Sequence, residues 1–69
     1  MNELSLKIGL IAEEVWQYLL ENGKEASTIK IKTNLEMSNT TLYLALGWLL
    51  REDKVNIIQD EYSYLISLK

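Results

Sequence analysis

Catalysis and metal binding draw on a short set of side chains, and two members of that set are missing from this chain. Its 69 residues include no histidine and no cysteine, which removes the usual nucleophile and base pairs and the common thiolate and imidazole metal ligands. Carboxylates, hydroxyls, tyrosines and lysines remain. Glu13, Glu14 and Gln17 fall together at helical spacing, the nearest approach to a carboxylate site, but a solvated helix face accounts for them with less effort. There is no phosphate-binding loop, no dinucleotide fingerprint and no metal-ligand spacing. The residues therefore predict no catalytic group, no cofactor and no metal, and point to a protein that binds rather than one that reacts.

Binding by surface contact uses large side chains, and here two tryptophans and four tyrosines supply them. Trp16 and Leu20, and further along Leu44 and Trp48, stand beside rather than within the apolar stripes of their helices. They are the candidate contact residues for a protein partner.

The elements that must position these residues are legible in the apolar spacing. Ile8, Ile11, Ala12, Val15 and Leu19 recur at helical intervals and predict a first helix over about 4–22, closed by Asn22 and Gly23. Leu6, Leu10, Trp16, Tyr18 and Leu20 lie outside that stripe, so the helix is either covered on two flanks or meets a second subunit. A polar connector, Lys24 to Ser27, leaves room for a residue or two of extended chain. Thr28 is the expected cap of a short second helix over about 28–36, with Ile31 and Leu35 inward and Lys30 and Lys32 toward solvent.

Met37 then sits in a tight turn, and Ser38 is the expected N-cap of a third helix over about 38–53. Leu42, Ala45, Leu46 and Leu49 make its core stripe. At about 100° per residue the opposite side carries Thr40, Tyr43, Leu44, Gly47, Trp48 and Arg51, an unusually apolar set. Gly47 costs about 1 kcal/mol against alanine in a helix interior, which invites a reason such as the close approach of another backbone. Arg51 to Lys54 reads as a solvated exit. Val55 to Ile58 and Tyr62 to Leu68 read as two strands joined around Gln59, Asp60 and Glu61, a hairpin over about 55–68. The expected class is α+β, one domain over 1–69.

Size and charge narrow the reading further. A chain this short buries only about 60% of the surface its unfolded form exposes. With no disulfide or metal to brace it, oligomerisation, most simply a homodimer, is the remaining source of burial. Seven basic against ten acidic residues give a net charge of −3 and a pI near 4.8, whereas nucleic-acid-binding domains usually lie on the basic side. No apolar run is long enough to cross a bilayer and the first residues do not look like a signal peptide, so a cytoplasmic location is expected.

The order helix, helix, turn, helix, hairpin resembles the winged helix-turn-helix domain, and the string from Ala45 to Val55, ALGWLLREDKV, looks like the end of its third helix running into its wing. More narrowly, the chain is similar to a family of very small bacterial winged-helix proteins of unknown function in which the domain stands alone. The resemblance implies DNA binding, with the start of the third helix in the major groove and the wing on a neighbouring groove or on phosphates. Carried over by position, Asn39, Thr40 and Tyr43 would approach the bases, with Thr41 and Leu44 beside them, while Lys30 and Lys32 would meet the backbone. Two features depart from that pattern. The third helix has no positive residue before Arg51, and the wing tip carries Asp60 and Glu61. A module that binds proteins or itself is the alternative reading.

Overall fold

The computed structural model describes residues 3–69. Its first element, α1, spans Glu3–Glu21 and buries Ile8, Ala12, Val15, Tyr18 and Leu19. The helix stops because Gly23 and Lys24 take positive φ values of 83° and 67°, which turns the chain so that Lys24 N–H donates to the Leu19 carbonyl at 2.7 Å. Tyr18 lies outside the periodic stripe but is buried. Its hydroxyl accepts from Asn34 Nδ2 at 2.8 Å, and this bond lets a polar ring tip sit at the edge of the core.

The connector after α1 forms a short strand, β1, Glu25–Ser27, and α2 follows over Thr28–Leu35. The cap of α2 is Ser27 rather than Thr28: the Ser27 hydroxyl accepts from Lys30 N–H at 3.1 Å. Thr28 instead turns inward, 4% exposed, where its hydroxyl accepts from Tyr64 N–H. Glu36 closes α2 in the left-handed region at φ 52°. Met37 packs against the core from the turn.

Ser38 caps α3, Asn39–Arg51, accepting from Thr41 N–H at 3.1 Å. Leu42, Ala45, Leu46 and Leu49 are all buried, as their spacing predicts. Asp53, at φ 59°, turns the chain out, and Lys54 N–H donates back to the Leu49 carbonyl at 3.0 Å.

Two strands follow, β2 (Val55–Gln59) and β3 (Tyr64–Leu68). Asp60 N–H donates to the Ser63 carbonyl at 2.8 Å and the Asp60 carboxylate accepts from Glu61 N–H, so the turn is wider than expected. Tyr62, expected at the start of the second strand, lies in that turn and is 87% exposed. The sheet is antiparallel in the order β1-β3-β2, with Ile66 opposite both Ala26 and Ile57. The expected hairpin is thus the larger part of a three-stranded sheet.

The core lies where α1, α2 and α3 meet one face of this sheet. Its largest fully buried side chains are Val15, Leu19, Ile31, Leu42, Leu46, Leu49, Val55 and Ile66, each stabilising the fold by roughly 1.5–3 kcal/mol through burial. Among the described residues no helix is long and apolar enough to cross a membrane.

Candidate functional site

Two neighbouring surfaces meet along α3. The first is a polar cleft of about 400 Å³ between the start of α3, α2 and the turn that joins β2 to β3. The Ser38 cap fixes the start of α3 and leaves Asn39 and Thr40 exposed beside it. Tyr43, one turn on, meets Tyr64 edge to face, ring centres 6.2 Å apart, which holds its ring at the cleft wall. Lys32 lines the cleft from α2, and Asp60, Glu61 and Tyr62 line it from the turn. Of the residues expected to meet nucleic acid, Lys32, Asn39 and Tyr43 therefore share one cavity, while Lys30 and Thr40 are exposed outside it.

The electrostatics of this cleft follow from its lining. One ammonium faces two carboxylates, and α3 carries no positive side chain before Arg51. A phosphate entering between Lys32 and the turn would meet net negative charge. Among the described residues no cluster of acidic side chains is arranged to hold a metal ion.

The second surface is the outer side of α3. Tyr43, Leu44 and Leu50 are 46%, 47% and 48% exposed, and Gly47 lies between the two leucines; among the described residues no side chain beyond its two chain neighbours, and no other element, comes within 4 Å of where its β-carbon would be. A furrow of about 520 Å³ runs on one side of Gly47, floored by Leu46, Ile57 and Tyr64. A shallower one of about 350 Å³ runs on the other, between Leu4 and Ile8 of α1 and Leu44 and Trp48 of α3. Gly47 and its neighbours form the low ridge shared by both.

The residues expected to meet a protein partner divide between this surface and the rest of the molecule. Leu44 and Trp48 line the same furrow, but Trp48 is half-buried because its ring lies on Gly9 of α1. Trp16 packs against the core, with the Lys54 ammonium 5.8 Å from its ring centre and Glu52 3.7 Å from that ammonium. Leu20, 41% exposed, stands apart on α1. Sequence reasoning passed over Leu50 and Leu4. Leu50 had a signal, since it stands three residues beyond Gly47 on the same turn of the wheel. Ile57 and Tyr64 had none, because only the folded sheet brings them beside α3.

The chain resembles known proteins over its whole length. The family model described as winged helix-turn-helix domain (DUF2582) matches residues 1–68. The uncharacterized protein MJ1608 of Methanocaldococcus jannaschii is 37% identical over 71 residues, spanning all of both chains. That relative is archaeal, so the likeness is not confined to bacteria, where the narrower resemblance had placed it. Three helices followed by an antiparallel hairpin, with a capped third helix across a tight turn from the second, agree with the match, and the chain belongs to the winged helix-turn-helix domain family DUF2582.

Proposed function

We propose that this winged helix is a protein-interaction module, presenting the outer side of α3 to another protein surface instead of to DNA bases. The composition of that side carries the reading. A helix laid in the major groove needs polar groups toward base edges and cations toward phosphates. Here the middle of α3 offers Leu44, Leu50 and an open Gly47 between two apolar furrows, and contiguous exposed apolar surface on a small domain marks an interface. The acidic turn beside the start of the helix adds repulsion where a wing would meet phosphate.

Nucleic-acid binding is the second reading. It is favoured by the fold itself and by the exposure of Lys30, Asn39 and Thr40 around the capped start of α3. A titration with duplex DNA at low salt separates the two. The interaction reading expects the amide signals of Lys30, Lys32, Asn39, Thr40 and Tyr43 to stay in place; a steeply salt-dependent shift at those residues would overturn it.

A further inference from the structure

Resting on the protein-interaction reading, we propose that the surface α3 meets is the same surface of a second copy, the two helices crossing antiparallel about a two-fold axis at Gly47. In a two-fold interface, whatever residue one copy sets against a second residue, the other copy sets in return, so an antiparallel helix crossing requires a face whose parts match about its centre. This face does. Leu44 and Leu50 stand three residues to either side of Gly47, and Tyr43 and Arg51 stand four to either side. An antiparallel crossing sets Leu44 of one copy against Leu50 of the other, and Tyr43 against Arg51.

Shape and charge both fit that arrangement. Each copy offers two protruding leucines and two furrows flanking a gap, so the leucines of one can seat in the furrows of the other. The gap is what permits it. Among the described residues no side chain beyond its two chain neighbours, and no backbone of another element, comes within 4 Å of where a β-carbon on Gly47 would stand, and without that β-carbon the axes can approach more closely than the usual 8–10 Å or so. Arg51 is the one charged side chain of α3; a parallel crossing would set it against its own copy, while the antiparallel one sets it over a tyrosine ring, a favourable partner for a guanidinium. The face amounts to one helix and its two furrows, at the small end of specific interfaces, so the dimer forms with rising concentration instead of being permanent.

Sedimentation equilibrium from about 5 µM to about 500 µM tests this. The wild-type mass should climb from 8.0 kDa toward twice that value. Gly47→Gln adds a side chain whose β-carbon meets no other described element of the monomer; it should weaken association by about tenfold or more, and urea unfolding at the lowest concentration confirms that the variant folds. Tyr43→Lys sets like charges against each other twice by symmetry and should also stay monomeric. Tyr43→Lys combined with Arg51→Glu replaces the repulsion with an ion pair and should recover association. A wild type that is monomeric throughout, a dimer indifferent to Gly47→Gln, or a double variant that does not recover overturns the proposal. The DNA titration on the same samples tells the two failures apart. A monomer with unmoved amides removes only the second copy as partner, and a monomer whose α3 amides shift with DNA removes the interaction reading as well.

Discussion

The indole of Trp48 lies against the backbone of Gly9, its Cζ2 3.2 Å from where a β-carbon on that glycine would stand. Both glycines of the helix interiors carry the same intrinsic cost of about 1 kcal/mol against alanine, but only one is used by the fold. Gly47→Ala should therefore raise stability by about 0.5–1 kcal/mol, or several degrees in Tm for a domain of this size. Gly9→Ala should gain clearly less or lose, and Gly9→Leu should cost about 1–3 kcal/mol through overpacking. Urea unfolding at concentrations where the chain is monomeric measures all three. Equal stabilisation by both alanines would show that the Trp48 contact does not explain Gly9.

Tyr18 and Asn34 form a side-chain bond that ties α1 to α2, at 2.8 Å. Tyr18→Phe should cost about 1 kcal/mol, because the ring stays packed while the hydroxyl is lost. Asn34→Ala should cost a similar amount. The double variant should cost less than the two together, leaving a coupling of about 0.5–1 kcal/mol in a double-mutant cycle. Additive costs would mean that the bond contributes nothing of its own.

The two serine caps should behave alike. Ser27→Ala and Ser38→Ala each leave a first-turn amide without its acceptor, which should cost about 1 kcal/mol apiece. Thr28→Ser should be milder, since it keeps the acceptor for Tyr64 N–H and gives up one methyl. Thermal unfolding followed by circular dichroism ranks the three.

The acidic turn supplies a direct test of the electrostatic argument. Asp60→Lys together with Glu61→Lys changes the net charge by +4, from −3 to +1, and turns the far wall of the cleft from repelling phosphate to attracting it. Duplex DNA at low salt should then bind measurably, with an affinity that falls steeply as salt rises. If binding stays absent, the shape of the cleft rather than its charge keeps DNA out.

Much of this molecule was readable from the order of its residues, for reasons that differ from place to place. The core stripe of α3 and its Ser38 cap depend on contacts within a few residues, so periodicity and capping rules suffice. The shift of the α2 cap from Thr28 to Ser27 was beyond those rules, because either hydroxyl could cap and the choice is made by Tyr64, 36 residues away. β1 escaped for a similar reason. Three residues with one buried alanine make no alternation, and the strand exists only because β3 pairs with it. The same distinction holds at the candidate site. Leu44, Gly47 and Tyr43 share a helix wheel and could be grouped from sequence, whereas the furrow walls come from α1 and the sheet. Trp16 and Trp48 sat at stripe edges, and only Gly9 and Lys54 reveal that both are held within the chain.

The sheet order β1-β3-β2 places the last of the three strands in the middle, with its own Ile66 buried and a partner strand on each edge. As the polypeptide leaves the ribosome, three helices emerge before the strand that joins the two halves of the sheet, and until residue 68 is free neither β1 nor β2 has a neighbour. Whatever structure the nascent helices hold in that interval is provisional. The sheet consequently depends on one short segment, which slots between two edges and joins halves that are far apart along the chain.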